Sequence, residues 1–249
     1  MKQNTFSIVA RDPKSGKIAV GGSSNWFAYS RLVPWIEAGL GAVATQAETS
    51  LSYPKVIFES LKSGKDIKSS LIAATLSDEN KNIRQVIVID NNGNTSVFTG
   101  EKCVKFASDY SELNFAVAGN MLANDKVIPS IIESFKTADE ELPLAERMIQ
   151  ALKAGQDAGG DFRGKRSAGL LVSESEKIGT HMDYISTNIR IDDHVDPILE
   201  MERIYNISKA YKFMEAGDNF AYELNDKENA LKSYQEAFKL QPENDEVLF

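Results

Sequence analysis

Short runs of apolar and small residues bounded by turn signals come first along this chain, followed by stretches whose apolar positions recur at the three-to-four-residue period of helices. Thr5-Phe6-Ser7-Ile8-Val9-Ala10-Arg11 reads as a strand, Asp12-Pro13-Lys14-Ser15-Gly16 as a turn, and Lys17 to Ser23 as the returning strand. Gly21 and Gly22 inside that return weaken it unless a neighbouring strand or a ligand comes close to its backbone. A third strand, Gly41 to Gln46, is again built of small residues. Three strands rich in Gly, Ala and Ser predict a sheet tightly covered on both faces.

Helical spacing follows. Tyr53-Pro54 opens a helix whose stripe is Ile57, Phe58 and Leu61, with Gly64 as its stop. Asp66 caps a second helix with Ile67, Leu71, Ala74 and Thr75 inside. Strands resume at Arg84–Asp90, turn at Asn91-Asn92-Gly93-Asn94 and return through Thr95–Phe98. Phe115–Asn120 is a further strand ending in a Gly-Asn corner. A second pair of helices carries Val127, Ile128, Ile131, Ile132 and Phe135, then Leu144, Ala145, Met148, Ile149 and Leu152. The glycine-rich loop 155–164 leads to the strand Ser167–Val172, and a last strand is expected around Ile185–Ile191. Strands interrupted by helix pairs, rather than strict alternation, predict an α+β fold of two stacked antiparallel sheets, each covered by a helix pair.

Asp196-Pro197 starts a long final helix, and the tail differs in kind. Phe213, Ala216, Gly217 and Phe220, followed by Ala230, Tyr234, Ala237 and Pro242, approximate a two-helix tetratricopeptide pattern around a turn at 225–228. The expected division is therefore a main domain over 1–206 and a small C-terminal helical hairpin over 207–249. A lone hairpin cannot bury its own face, so it must dock on the main domain, on a second subunit or on a protein partner, and a homo-oligomer is expected.

Composition narrows the classes. At 249 residues, with 42% hydrophobic and 26% charged residues, the chain has the make-up of an ordinary globular protein. A net charge of −8 argues against nucleic acid and gives no basic patch for a membrane surface. One cysteine and two histidines leave no disulfide and no multi-ligand zinc site, so neither metal nor cofactor is expected. With no membrane-length apolar run and no leader-like N-terminus, a cytoplasmic location is the expectation, or a secreted one for a mature or trimmed form.

Thr5 taken alone is a common strand residue. Its context carries more. The blocks Thr5–Asp12, Val33-Pro34-Trp35 with Gly41–Ala47, Gly119-Asn120, Gly159-Gly160-Asp161-Phe162-Arg163-Gly164 and Asp192-Asp193-His194 with Pro197 together resemble one family. It is the N-terminal-nucleophile-hydrolase-like family catalogued as domain of unknown function 1028, and the resemblance covers roughly Thr5 to Ile204. It implies a four-layer αββα sandwich and a nucleophilic threonine whose own α-amine serves as base. The implied activity is amide hydrolysis of a small linear C–N bond, through an acyl-Thr5 intermediate. Gly119 and Asn120 are the candidate oxyanion donors, with Gln46 as second choice, and Ser23 and Ser24 are candidates for proton relay or substrate binding. Asp161 and Arg163 would form a loop clamp or hold a charged substrate end. Asp192, Asp193 and His194 suggest a metal, but neighbours on an extended chain point to opposite sides, which favours a structural role. Four residues precede Thr5, so a free amine requires cleavage between Asn4 and Thr5. The alternative is a non-catalytic binding or scaffold protein assembling through its tail.

Overall fold

The protein's structure, a computed structural model, describes residues 5–248. Strands β1 (Thr5–Arg11) and β2 (Ile18–Ser24) form an antiparallel hairpin. Asp12 holds its turn, accepting hydrogen bonds from Ser15 N at 3.1 Å and Ser15 Oγ at 2.5 Å. The chain continues through β3 (Pro34–Glu37), β4 (Gly41–Ala47), α1 (Ser52–Lys62), α2 (Ile67–Leu76), β5 (Arg84–Asp90) and β6 (Thr95–Thr99). Then come β7 (Ser108–Glu112), β8 (Phe115–Asn120), α3 (Val127–Thr137), α4 (Leu144–Asp157), β9 (Ser167–Ser173), α5 (His181–Tyr184) and β10 (Ile185–Ile191). Asp66 caps α2 as expected, accepting from Ser69 N at 2.9 Å.

The strands form two sheets, of order β10-β9-β2-β1-β8-β7 and β3-β4-β5-β6, and every pairing is antiparallel. Their facing sides share one apolar cluster: Val9, Ile18, Val20, Ala116 and Ala118 from the first, Ala42, Ala44, Ile87 and Ile89 from the second. The opposite parity of β4 and β5 (Val43, Val86, Val88) packs on Tyr53, Ile57 and Leu71 of α1 and α2. On the six-stranded sheet, a side chain at Gly155 of α4 would meet Ile131 of α3 at 2.5 Å and Phe6 of β1 at 3.5 Å. Helices and sheet are thus pressed together at that glycine. Burying one Ile or Val in such a core stabilises by ~1.5–3 kcal/mol, so these alternating rows are what selects the fold.

Sequence pattern does not disclose β3 and β7, and both are edge strands. Pro34 opens β3 at a position where a missing N–H is tolerated, and Ser108-Asp109-Tyr110-Ser111-Glu112 has the polar character that blunts an exposed edge.

The chain parts into two compact units between Leu199 and Glu200, inside α6 (Pro197–Asp218); residue 206, the expected boundary, lies in the same helix. In the second unit α6 passes through a π-turn over Asn219–Glu223, and Asp226 caps α7 (Lys227–Leu240) by accepting from Asn229 N at 3.1 Å. Lys227 and Glu228, read from sequence as turn, are therefore the first turn of α7. A side chain at Gly217 would meet the Tyr234 ring at 2.5 Å, which is why the two helices can close there. A short α8 (Asp245–Leu248) follows.

Candidate functional site

The period of two that builds the core also builds the site. Along β1 the inward row is Thr5, Ser7, Val9; along β4 it is Ala42, Ala44, Gln46. Along β5 it is Gln85, Ile87, Ile89, and along β8 Ala116, Ala118, Asn120. In each row the apolar residues end at a polar one, and the polar ends meet at the same end of the inter-sheet space. Thr5, Ser7, Gln46 and Gln85 have no exposed surface and Asn120 has 1%. Buried polar groups of this kind must find partners or cost stability.

All but one do. Ser7 Oγ donates to Gln46 Oε1 at 2.5 Å, so Tyr29 OH, 3.0 Å away, donates to Ser7 Oγ. Burial raises the Tyr29 phenol well above its ordinary pKa, a shift the Ser7 hydrogen bond partly offsets, so it stays protonated. Gln46 Nε2 donates to Gln85 Oε1 at 2.8 Å and to Ala118 O at 3.1 Å. Gln85 Oε1 accepts a second bond, from Asn120 Nδ2 at 3.0 Å. Gln85 Nε2 donates to Gly119 O at 3.0 Å and Thr99 Oγ1 at 2.9 Å, and Thr99 Oγ1 donates to Asp109 at 2.5 Å. Gly22 makes room for the far end of this chain: a Cβ there would lie 2.5 Å from Tyr29 OH and 2.7 Å from Ser7 Oγ. The close approach expected at the Gly21-Gly22 pair is thus made in part by a tyrosine hydroxyl.

Thr5 is the exception. It stands directly opposite Asn120 in the β1–β8 ladder, yet its Oγ1 is buried without any hydrogen-bond partner. Side chains directly opposite on one face of an antiparallel pair lie roughly 5 Å apart at Cβ. Met1–Asn4, the segment that precedes Thr5 and bears on its amine, lies outside the described residues. Two strands of the site end in left-handed backbone: Ala47, after Gln46, has φ 65°, and Met121, after Asn120, has φ 52°. Non-glycine residues avoid that region unless the surroundings enforce it.

The remaining candidates divide. Ser24 lies at the end of β2 on the Thr5 side, and its Oγ accepts from Trp26 N at 2.9 Å. Ser23 has the opposite parity and donates to Ser167 O at 3.1 Å. Gly119 also faces away from Thr5, toward the helices, where a Cβ would meet Leu122 at 2.9 Å and Ile128 at 3.1 Å. Asp161, 2% exposed, accepts from Asn25 N (2.9 Å), Arg163 N (2.9 Å) and both Nε and Nη2 of Arg163 (3.2 and 2.9 Å). Those bonds tie the loop after β2 to the glycine-rich loop. Asp192, Asp193 and His194 go to three different partners: Arg190 at 2.9 Å, Arg166 at 3.6 Å and Asp196 N at 3.0 Å. Among the described residues no group of three or more His, Cys, Asp or Glu could hold a metal ion. Burial raises the Cys103 thiol above its ordinary pKa, and its Sγ donates to Arg84 O at 3.3 Å.

Sequence reading passed over Gln85, the residue on which the network turns. Its signal was present: a glutamine in phase with Ile87 and Ile89 must point into the same core. Tyr29, Thr99 and Asp109 carried no such signal, because turns and edge strands bring them in.

The sequence matches the model of the family described as a family of unknown function, DUF1028, over residues 5–201. The chain belongs to that family. It is similar to protein SPO2555 from Silicibacter pomeroyi, a DUF1028 protein of known crystal structure: 27% identity, 81% of this chain and 84% of that one covered, TM-score 0.72. Looser similarity extends to Anbu from Hyphomicrobium sp. strain MC1 (12% identity, 84% and 94% covered, TM-score 0.41). Anbu from Yersinia bercovieri stands alike, at 12% identity, 84% and 96% covered and TM-score 0.37. No curated protein matches the sequence significantly. The DUF1028 match ends inside α6, so the helices beyond residue 201 lie outside it. No helix among the described residues is long and apolar enough to cross a membrane.

Proposed function

We propose that this DUF1028 chain is an amidohydrolase of the N-terminal-nucleophile type, on a four-layer αββα sandwich, with Thr5 as nucleophile once Asn4 has been removed. The observation that carries the reading is the Thr5 hydroxyl: buried, unpartnered, at the head of a central strand and opposite a buried asparagine amide. A polar atom kept at that cost, on the order of 1–3 kcal/mol, is a candidate for chemistry. With its amine free, Thr5 carries nucleophile and base on one residue. An α-amine titrates near ~7.7–8.0, so much of it is neutral at neutral pH.

In the reaction, Thr5 Oγ attacks the carbonyl carbon of a small linear amide and its proton passes to the Thr5 amine. The tetrahedral oxyanion forms beside Asn120, whose Nδ2 has one hydrogen on Gln85 and a second to offer. Collapse breaks the C–N bond, the amine product leaves with the proton from the Thr5 ammonium, and acyl-Thr5 remains. Water, deprotonated by the same amine, hydrolyses that ester and releases a carboxylic acid. Ser24 flanks this site; Asp161 and Arg163 hold the loops around it. Gly119 supports Asn120 by letting Leu122 and Ile128 pack behind the strand.

Intact mass and N-terminal sequencing of the natively expressed protein test the reading, with a hydroxyl-acylating β-lactone as probe. A chain starting at Thr5 and acylated there is the expected result. An intact N-terminus with no labelling would overturn it in favour of a non-catalytic scaffold.

A further inference from the structure

We propose that Gln85 is a positioning residue for this site: it sets which end of the Asn120 amide is offered beside Thr5. The inference rests on the reading of Thr5 as nucleophile. Oxygen and nitrogen of a side-chain amide are nearly equal in size, so only their partners can fix their orientation. At Gln85 the partners leave one solution. Gly119 O at 3.0 Å and Ser108 O at 3.3 Å are backbone carbonyls, which only accept, so the group facing them is Nε2. Thr99 Oγ1 at 2.9 Å agrees, because its own hydrogen is committed to the Asp109 carboxylate. Oε1 therefore faces the opposite way and must receive donors.

Two donors meet it. Gln46 Nε2 is fixed independently by Ala118 O, another pure acceptor, and reaches Gln85 Oε1 at 2.8 Å. Asn120 then has no choice: facing an acceptor, it must turn its NH2 group to Gln85, at 3.0 Å. Reversed, Asn120 Oδ1 would meet Gln85 Oε1, two buried acceptors in contact. The orientation is thus dictated by three backbone carbonyls and one edge-strand aspartate, through a glutamine that does not itself stand beside Thr5 in the β1–β8 ladder. Among the described residues the Asn120 side chain makes only this hydrogen bond, so its nitrogen is held in place with one N–H uncommitted. A donor held before the reaction costs no reorganisation when the oxyanion forms, which is the condition for transition-state stabilisation.

The test is the acylation of Thr5 by a β-lactone, followed by intact mass on chains whose first residue is Thr5. The lactone ring opens onto Thr5 Oγ through a tetrahedral oxyanion and all its atoms are retained. Gln85→Met, Asn120→Ala and the double variant are compared with the parent. Gln85→Met is expected to slow acylation about tenfold or more, with the lactone's saturation concentration unchanged, and Asn120→Ala by about 10²-fold. Because Gln85 acts through Asn120, Gln85→Met is expected to have no further effect in the Asn120→Ala background. Effects that multiply overturn the proposal, as does an unchanged rate in Gln85→Met. Should Gln85→Met fail to fold, Gln85→Glu serves: at about pH 6 burial keeps the carboxyl protonated, it then offers both an acceptor and a donor in place of the amide, and most of the parent's rate at that same pH is retained. A Gln85→Glu protein that is folded but as slow as Asn120→Ala also overturns it. If the parent itself is not acylated at Thr5, the reading of the nucleophile fails; if the parent reacts and the cycle is additive, only the role of Gln85 fails.

Discussion

Thr5 and Asn120 face each other across the β1–β8 ladder, and of the two buried side chains only that of Asn120 has a hydrogen-bond partner. Its amide is anchored by Gln85 from the other sheet, whereas the threonine hydroxyl is left alone in a core where every other polar end of the inward rows is bonded. An unbonded hydroxyl beside a fixed amide donates nothing to stability.

Thr5→Val should therefore stabilise the fold. Valine keeps the shape and removes the orphan oxygen, so chemical denaturation is expected to show a gain of about 1 kcal/mol, while acylation at residue 5 disappears. A loss of 1 kcal/mol or more would mean that the hydroxyl is bonded in solution.

Ser7→Ala has the opposite sign. Ser7 Oγ is the shared partner of Tyr29 OH and Gln46 Oε1, so its removal leaves two buried groups unsatisfied at a cost of about 1–3 kcal/mol. Tyr29→Phe removes one donor and leaves Ser7 bonded to Gln46. Its denaturation midpoint should fall less than that of Ser7→Ala.

Asp161→Ala tests the clamp. Asn25 N, Arg163 N and the Arg163 guanidinium all lose their acceptor, and one partner of a largely buried ion pair is left behind, so a loss of about 2–3 kcal/mol is expected. Limited proteolysis should open the loop 159–164 first. Protease resistance equal to the parent's would show that the loop is held by other contacts.

Asp78 should contribute to acid sensitivity. Burial pushes its carboxyl up, but hydrogen bonds from Arg84, Asn80 N and Tyr53 outweigh that, and its pKa lies below the ordinary aspartate value. A depressed folded-state pKa means stability present above about pH 4 and lost as pH falls through the lowered value. Asp78→Asn should flatten the acid limb of the stability profile, measured by urea midpoints between about pH 5 and pH 2. An unchanged slope would assign the acid limb to other carboxylates.

Much of this architecture is legible in the residues. The strand led by Thr5, the nearly continuous apolar run of Arg84–Asp90, the cap at Asp66 and the stop at Gly64 are local instructions, and the chain follows them. The edge strands β3 and β7 are not legible: β3 has only four residues, too few to show a period, and the polar β7 has no apolar row of its own. The site divides in the same way. Thr5, Gln46 and Asn120 could be named because their blocks resemble a family, while Gln85, Thr99 and Asp109 are joined to them only by contacts between separate strands, of which Asn120–Gln85 and Thr99–Asp109 cross between the sheets.

By itself the sequence determined which residues of a strand share a face, since a period of two leaves no freedom there. It therefore determined that Thr5 shares a face with Ser7, Gln46 with Ala44, Gln85 with Ile87, and Asn120 with Ala118. Only the tertiary structure decided that they would be buried together. Strand order and register are set by long-range pairing, and register brings the polar ends of four strands to one end of the core. There the hydrogen-bond demand of each is met by the next, except at Thr5.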